Sequence, residues 1–391
     1  MPVLIENLNW RGEGVGGGQV FRHVLAGETI DEATGEVVLA SPDRISAFCK
    51  YYARCGGCQL QHWRLAPYQA WKKSLITSAL AKRGIEVGVT HIIDAHGDGR
   101  RRVTLHVRKR DGVVTAGFMA SRSHDLIDID QCPILTPALC GATDIARKLG
   151  ARLGDCDVSL TAADNGLDVA VKVERKIADE QLPRLASLVA EMKLLRLTVN
   201  GNLVSSLATP AIAMGKGLVQ LPPGSFLQAT KLGEETLSSL VLGAMPKARS
   251  VADLFCGIGP FAFRIANTAK VTAIDSDRAA IASLASAVRL TPGIKPLKAE
   301  VRDLMREPMV ASELKEFDTV VFDPPRAGAE AQARQLAKST VRTVVAVSCD
   351  PASFSRDAEI LVGGGYGLKP VTAVDQFKYT SHVEIVGVFS R

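Results

Sequence analysis

Residues 250–260 read SVADLFCGIGP and decide the fold of the C-terminal part of the chain. The apolar residues around Asp253 predict a buried strand, and the two glycines that follow permit a tight turn into a helix. From residue 226 to residue 391, similar strand and helix patterns alternate along the sequence. This alternation predicts an α/β domain whose Rossmann-like parallel sheet is covered by helices on both faces.

The alternating pattern indicates five strands and four helices in this domain. The predicted strands are Ser250–Phe255, Val271–Asp275, Lys295–Ala299, Asp318–Phe322 and Arg342–Ser348. The predicted helices are Phe261–Thr268, Arg278–Val288, Ala329–Lys338 and Ser353–Leu361. Asp253, Asp275, Asp323 and Cys349 each close or follow a predicted strand. Because ligands of parallel sheets bind at the carboxyl ends of the strands, we expect these residues to converge on one crevice.

The loop after the first strand indicates the cofactor. Gly257 and Gly259 would allow the backbone to approach a ligand closely, and Asp275 could accept hydrogen bonds from the hydroxyls of a ribose. Enzymes that bind nicotinamide dinucleotides have a third glycine in this loop, where the present chain has Ala262. The D-x-F-C-G sequence beginning at Asp253 is instead typical of methyltransferases, and we predict S-adenosylmethionine as the cofactor.

Length and composition limit the domain organisation. The chain has 391 residues, of which 47% are hydrophobic, and a net charge of +6. We expect three domains: a small β-barrel in residues 1–45, a mixed α+β domain in residues 46–225, and the α/β domain in residues 226–391. The sequence shows neither a signal-peptide pattern nor an apolar run that would span a membrane. We therefore expect a cytoplasmic protein without membrane partners. Separately, we expect a monomer.

Four of the eight cysteines form a candidate ligand set. Cys49, Cys55 and Cys58 have the spacing C-x5-C-x2-C, and Gly56-Gly57 allows the tight turn that brings thiolates to one metal centre. Cys132 precedes a proline that fixes the next turn. Since disulfides do not persist in a reducing compartment, the set indicates structural zinc or an iron–sulfur cluster, with unliganded cysteines as the third alternative.

Basic residues concentrate around one predicted strand, Val103–Val107. Three arginines, Arg100 to Arg102, precede it, and Arg108-Lys109-Arg110 follows it. Alternation along a strand places one set of side chains on the same face: Arg102, Thr104, His106 and Arg108. Such a face attracts phosphates, although an edge strand protected by charge has the same pattern. The enzyme chemistry described next favours contacts with RNA.

Cys349 and Glu384 have the chemistry needed to methylate uracil. Carbon 5 of uracil is a poor nucleophile, and a thiolate that adds to carbon 6 activates it toward a methyl donor. Cys349 precedes a predicted helix, whose N-terminus is expected to lower the pKa of the thiol. A base must then remove the carbon-5 proton. Glu384, the one carboxylate of the strand-like His382–Val386, should be buried and have the raised pKa that suits a base.

These motifs resemble the RNA 5-methyluridine methyltransferase family over nearly the whole chain. The matching segments, besides the four cysteines, are Phe226-Leu227-Gln228, Asp253–Gly259, Asp323–Gly328, Ser348–Pro351 and His382–Glu384. The resemblance implies that Cys349 is the nucleophile and Glu384 the general base. It also implies a cofactor site that contains Gln228, Phe255, Asp275 and Asp323, to which we add Gly257 and Asp303 as expected contacts.

The resemblance further implies a second cofactor and an RNA partner. The cysteine set is similar to that of family members that modify 23S ribosomal RNA, in which it binds a 4Fe–4S cluster. Other members modify the T-loop of transfer RNA, and we favour 23S ribosomal RNA over transfer RNA. The chain departs from the family in two places. Pro260 stands where asparagine is common, and the N-terminal segment is shorter than the usual TRAM barrel.

Three other functions fit only part of the sequence. RNA 5-methylcytosine methyltransferases usually have a cysteine directly after the first proline of the Asp323-Pro324-Pro325 motif, and this chain has none there. Adenine methyltransferases have an aromatic residue after that motif, where this chain has Arg326. An RNA-binding or chaperone protein without turnover would not need both Cys349 and Glu384.

Overall fold

Two small antiparallel sheets form the N-terminal part of the computed structural model, which describes residues 1–174 and 177–391. Their strands are β1 Pro2–Leu4, β2 Asn7–Leu8, β3 Gly14–Gly16, β4 Gln19–Phe21, β5 Thr29–Asp31 and β6 Val37–Leu39. One sheet has the order β1-β5-β6 and the other the order β2-β3-β4. Within the described residues no strand ladder joins the two sheets, so the predicted closed barrel is not confirmed.

Residues 46–225 contain a seven-stranded sheet. The elements are α1 Leu65–Ala81, β7 Val89–Asp94, β8 Arg102–Arg110, β9 Val113–Met119, β10 Leu126–Asp128, α2 Ala142–Leu153, β11 Cys156–Ala163, β12 Gly166–Lys172, α3 Leu182–Glu191, β13 Arg196–Val199, β14 Asn202–Ser206, β15 Ala211–Met214 and β16 Gly217–Gln220. The sheet order is β10-β9-β8-β11-β12-β13-β14, and β15 pairs with β16. On β8 the apolar residues Val103, Leu105 and Val107 are buried in the core beneath α2 and α3, as the alternation predicts.

The C-terminal part forms a nine-stranded sheet with helices on both faces. Its elements are α4 Lys231–Ala244, β17 Ser250–Leu254, α5 Pro260–Ile265, β18 Lys270–Asp275, α6 Arg278–Arg289, β19 Leu297–Val301, β20 Thr319–Phe322, α7 Glu330–Ala337, β21 Thr343–Ser348, α8 Pro351–Gly363, β22 Gly367–Leu368, β23 Val371–Asp375 and β24 Glu384–Ser390. Short 3₁₀ turns lie in the central segment, at Pro137–Leu139 and Asp179–Gln181, and in the C-terminal part, at Glu313–Glu316. The sheet order is β19-β18-β17-β20-β21-β24-β23-β7, and β22 pairs with β24.

The predicted strands and helices of this domain are present, and their boundaries agree within about two residues except at the end of the first predicted helix. The helix predicted to end at Thr268 ends at Ile265, and a turn at residues 266–269 leads into β18. The strand predicted to begin at Lys295 begins at Leu297. Pro296 immediately precedes it and has no N–H to donate to a ladder. Strands β17 to β21 are parallel, so their carboxyl ends lie at one edge.

The C-terminal sheet also includes elements from the segment predicted to form a separate central domain. β7 pairs in parallel with β23 at its edge. Helix α1 buries Tyr68, Lys72, Ile76 and Leu80, which recur every four residues along one stripe. The Nζ of Lys72 lies 2.6 Å from Oδ1 of Asp375, at the end of β23. The central segment and the α/β sheet are therefore joined by a buried ion pair.

Within the described residues, none of the helices combines the length and the apolar character needed to cross a bilayer.

Candidate active site

Cys349 and Glu384 lie on neighbouring strands at the edge where the sheet opens. β21 and β24 pair antiparallel, and their last pair joins Ser348 to Ile385. Cys349 and Glu384 are the next two residues along these strands, so they are opposed where the ladder ends. Opposed residues of an antiparallel pair lie about 5 Å apart. The structure thus brings the predicted nucleophile and the predicted base together.

The carboxyl group of Glu384 is buried, and only one of its two oxygens has a hydrogen-bond partner among the described residues. The residue is 3% exposed, as the sequence predicted, and its Oε1 accepts a hydrogen bond of 3.0 Å from Nε2 of Gln376. Its Oε2 has no hydrogen-bond partner among the described residues. Burial, and then the nearby charge of Asp323, raise the pKa of this carboxyl group. The hydrogen bond from Gln376 and the charge of Arg326 act in the opposite direction and lower the pKa. A carboxylate with a raised pKa and a free oxygen is suited to accept a proton.

The thiol of Cys349 differs from the sequence-based expectation. Burial, together with the charges of Glu384 and Asp323, raises its pKa to about 12, so the predicted lowering is wrong. The helix N-terminus is already occupied, because Oδ1 of Asp350 accepts hydrogen bonds from the N–H groups of Ala352 and Ser353. The free protein therefore holds a protonated thiol at neutral pH.

A chain of side-chain hydrogen bonds connects Asp323 with Glu384. Nε2 of Gln228 donates to Oδ2 of Asp323 at 2.9 Å, and Oε1 of Gln228 accepts from Nε2 of Gln376 at 2.6 Å. Nε2 of Gln376 also donates to Glu384. Burial raises the pKa of Asp323, and the bond from Gln228 opposes this rise. The two carboxyl groups thus belong to one network, although they lie on different strands.

The predicted cofactor loop adopts an unusual backbone. Phe255 has φ +60° and Gly257 has φ +53°, both in the left-handed region that favours glycine. The N–H of Gly257 donates to Oδ2 of Asp275 at 2.8 Å, and Oδ1 of Asp275 accepts from the N–H of Asp277 at 2.8 Å. Such strain in a non-glycine residue is found at functional sites, where the surrounding structure holds it in place. Pro260 occupies the first turn of α5, a position that proline suits.

Two further acidic residues lie in or after parallel strands of this sheet, Asp253 within β17 and Asp303 after β19. Asp253 is fully buried, and within the described chain neither of its carboxyl oxygens has a hydrogen-bond partner. Burial, followed by the charge of Asp323, raises its pKa well above the ordinary value. Asp303 follows β19, and its Oδ1 accepts from the N–H of Met305 at 3.1 Å. Asp303 therefore stabilises a turn at the same edge of the sheet as Asp275.

The four predicted cysteine ligands line one cavity of about 150 Å³. Burial raises the pKa of Cys58 to about 12 and that of Cys132 to about 11. The N–H of Gly57 donates to Sγ of Cys55 at 3.4 Å. In the parts of the chain that the structure describes, however, no group of three or more His, Cys, Asp or Glu residues is placed to hold a metal ion. The predicted metal centre, which included Cys49, is therefore not confirmed.

The basic face of β8 is partly neutralised by the neighbouring strand. Nδ1 of His106 lies 2.7 Å from Oδ1 of Asp157, and Nε of Arg108 lies 4.0 Å from Asp155. Closer to Gln228, Nη1 of Arg102 donates to the carbonyl of Leu227 at 3.3 Å. The guanidinium of Arg102 lies 5.5 Å from the ring centroid of Phe226, which is 69% exposed. These two residues line a second cavity of about 250 Å³ together with Arg100 and Phe377.

Sequence reasoning missed Gln376 and Arg326 as parts of the site. Gln376 is fully buried between Gln228 and Glu384. Arg326 is exposed, and its charge opposes the rise in the pKa of both Glu384 and Cys349. Arg326 directly follows the Asp323-Pro324-Pro325 motif, so its position was a usable signal. Gln376 follows an ordinary strand, and only the tertiary fold reveals its partners.

Comparison with known proteins identifies the class of protein. The family model described as tRNA (uracil-5-)-methyltransferase matches residues 220–391. The chain is 42% identical over its whole length to an uncharacterized RNA methyltransferase of Brucella suis biovar 1 (strain 1330), of which it covers 97%. It is 33% identical to the 23S rRNA (uracil(1939)-C(5))-methyltransferase RlmD of Halomonas elongata, with 90% of this chain and 78% of that protein covered. The chain belongs to the RNA uracil-C5 methyltransferase family and is an RNA methyltransferase.

A solved structure supports the fold. The tRNA (uracil-54, C5)-methyltransferase of Pyrococcus abyssi, in complex with S-adenosyl-L-homocysteine, superposes with a TM-score of 0.77. The match covers 100% of this chain and 99% of that chain at 22% sequence identity. At this identity the comparison confirms the α/β methyltransferase architecture.

Proposed function

We propose that the protein transfers a methyl group from S-adenosylmethionine to carbon 5 of a uridine in RNA through a covalent bond between Cys349 and carbon 6. The opposed pair of Cys349 and Glu384 at the open edge of the sheet carries this proposal. Asp323 lies beside the pair, linked to it through glutamine side chains. The reaction requires a nucleophile and a base close to each other, and these two residues are opposed on neighbouring strands.

The residues around β17 fit S-adenosylmethionine. Each carboxylate oxygen of Asp275 has one backbone partner, which leaves lone pairs for the two ribose hydroxyls. The unpartnered carboxyl group of Asp253 lies at the end of β17, and its pKa responds to the charges of Asp323 and Asp275. Gln228, Phe255, Gly257 and Asp303 complete the proposed cofactor site.

The reaction begins at Cys349. Its thiol gives its proton to solvent, and the sulfur adds to carbon 6 of uracil, which moves an electron pair through carbon 5 onto the carbonyl oxygen. The raised pKa of Cys349 means that the thiolate forms when substrate binds rather than in the free protein. The cofactor supplies an electrophilic methyl group, which carbon 5 accepts.

Glu384 ends the reaction. Its free Oε2 removes the proton from carbon 5, and the electron pair of that bond expels the Cys349 sulfur from carbon 6. The products are 5-methyluridine in RNA and the demethylated cofactor. Because Glu384 must be ionised for this step, its raised pKa predicts that turnover falls as the solution becomes more acidic.

We propose 23S ribosomal RNA as the substrate. The support is the similarity to a relative whose name specifies 23S rRNA, at 33% identity across 90% of the chain. Transfer RNA is the alternative, since the solved neighbour is a tRNA enzyme at 22% identity. Nucleoside mass spectrometry of RNA fragments from a strain lacking this gene distinguishes them. Loss of 5-methyluridine from 23S rRNA is expected, whereas its loss from transfer RNA alone would refute this substrate.

We propose that the cysteine cavity holds a 4Fe–4S cluster. The support is the resemblance of the cysteine spacing to that of family members with such a cluster, together with the cavity that the four cysteines share. A four-iron cluster is held by four thiolates, and Cys49, Cys55, Cys58 and Cys132 all border the same cavity. The N–H of Gly57 on Sγ of Cys55 is the kind of hydrogen bond that tunes such clusters. We assign the cluster a structural or RNA-positioning role, since it lies outside the α/β sheet.

We propose that RNA passes over Arg100, Arg102 and Phe226. The cavity that these residues border lies beside Leu227, next to Gln228 of the active site. Exposed aromatic rings stack on unpaired bases, and guanidinium groups bind phosphates. A target uridine must leave its stack to reach Cys349, which requires a few kcal/mol that such contacts offset.

A further inference from the structure

Gln376 makes three hydrogen bonds inside the active site. It follows β23 and is fully buried. Its Nε2 donates to Oε1 of Gln228 at 2.6 Å and to Oε1 of Glu384 at 3.0 Å. Its Oε1 accepts from the N–H of Thr230 at 3.4 Å. A primary amide has two N–H donors, and both are directed to oxygen atoms of the site.

We propose that Gln376 is a positioning residue for removal of the carbon-5 proton, holding Oε1 of Glu384 so that Oε2 is the oxygen that accepts the proton. This inference rests on the proposed role of Glu384 as the base. Oε2 is buried without a partner in the described chain, so it is the atom left for the substrate. If the amide of Gln376 were turned by 180°, its oxygen would face Oε1 of Gln228 and Oε1 of Glu384, which are both acceptors. Only the observed orientation of the amide therefore forms hydrogen bonds with them.

The surrounding structure is built to hold this side chain. A Cβ placed on Gly233 would come within 2.5 Å of Oε1 of Gln376, so a glycine is needed at this turn of α4. The residue before Gln376 is Asp375. Its carboxylate accepts hydrogen bonds from Nζ of Lys72 at 2.6 Å and from the hydroxyl of Tyr68 at 2.8 Å. The same Nζ also donates to the carbonyl of the next residue, Phe377. The backbone of Gln376 is therefore anchored on both sides.

The hydrogen bond from Gln376 to Glu384 also affects the ionisation of Glu384. A donor stabilises the ionised carboxylate, so loss of the donor raises the pKa of Glu384 further. The other groups facing this carboxyl group are Asp323, Arg326 and Cys349, which a change at Gln376 leaves in place. Since the base must be ionised, the acidic limb of the pH profile should move to higher pH when Gln376 loses its amide.

Gln376→Met tests the proposal, because methionine has a similar length and no donor. RNA labelled with tritium at carbon 5 of uridine reports proton loss directly, as tritium released to water in a single turnover. We expect release at neutral pH to slow about tenfold or more, equivalent to at least one unit in the pKa of the base, with a covalent enzyme–RNA adduct accumulating. The acidic limb should shift upward in pH.

Gln332→Met is the matched control. Gln332 is also a buried glutamine. Its Oε1 accepts a hydrogen bond from the N–H of Met309, and its Nε2 donates to the carbonyl of Met309. Its replacement should lower the melting temperature and leave the pH limb unchanged. If Gln376→Met misfolds, Gln376→Glu keeps the volume, adds a carboxyl group beside Glu384, and should move the limb upward as well.

The outcomes separate this inference from the proposed function. A folded Gln376 variant with the wild-type pH limb and no adduct would overturn the positioning role. A wild-type protein that releases no tritium and makes no 5-methyluridine would instead overturn the assignment of the reaction itself.

Discussion

Replacing Lys72 with methionine should destabilise the protein more than a surface charge change of the same kind. Lys72 is fully buried, and its Nζ lies 2.6 Å from Oδ1 of Asp375. It also donates to the carbonyls of Phe377 and His382, at 3.2 and 2.7 Å. Methionine removes all three donors and leaves Asp375, 2% exposed, with the hydroxyl of Tyr68 as its side-chain donor.

The expected magnitude follows from the burial. Removal of one partner of a buried ion pair destabilises a protein by about 3–5 kcal/mol, because the other charge stays buried without compensation. In a domain of this size each kcal/mol lowers the melting temperature by about 2–4 °C, which gives a fall of roughly 6–20 °C. Activity should fall as well, because Lys72 anchors the loop between Gln376 and Glu384.

Lys50→Met provides the control for this measurement. Nζ of Lys50 also lies 2.6 Å from a carboxylate, that of Asp130, but both side chains are more than half exposed. Exposed ion pairs contribute little, so this variant should melt close to the wild type. Melting is followed by differential scanning calorimetry at matched pH and salt. Equal melting temperatures for the Lys72 and Lys50 variants would refute the reasoning.

Three other predictions test separate parts of the site. Cys55→Ser should remove the brown colour, the absorption near about 400 nm and the iron from anaerobically purified protein, whereas zinc as the sole metal would exclude a cluster. Arg102→Ala should weaken RNA binding and reduce the salt dependence of the affinity by the amount that corresponds to about one phosphate contact. Unchanged affinity at several salt concentrations would indicate that β8 is a solvated edge strand. Asp275→Asn should weaken S-adenosylmethionine binding about tenfold in calorimetric titration while RNA affinity stays unchanged, and equal cofactor affinity would remove Asp275 from the ribose site.

Most strands of the α/β sheet could be predicted because their apolar runs are short and are closed by a polar residue. The end of β20 at Phe322, directly before Asp323, is an example. Since carboxyl ends of parallel strands share an edge, the convergence of Asp275, Asp323 and Cys349 followed without knowledge of the strand order. The opposition of Cys349 and Glu384 could not be predicted, because it depends on the antiparallel insertion of β24 beside β21.

Other features depend on contacts between distant segments. The pKa of Cys349 was predicted with the wrong sign because the nearby helix was visible in the sequence and the charges of Asp323 and Glu384 were not. Lys72 lies in the buried stripe of α1, where a sequence pattern predicts an apolar residue. Its partner, Asp375, is contributed by a strand more than half the chain away. Sequence periodicity describes one element at a time, so it does not identify such pairs.

The most direct test of the proposed reaction is denaturing electrophoresis of the Glu384→Gln variant after incubation with S-adenosylmethionine and RNA from a strain lacking the gene. The account predicts a covalent enzyme–RNA adduct that contains the transferred methyl group, because the variant can attack and methylate but cannot remove the carbon-5 proton. The adduct should be absent from the Cys349→Ala variant and from the double variant. Normal turnover of Glu384→Gln without an adduct, or 5-methyluridine formation by Cys349→Ala, would contradict the account.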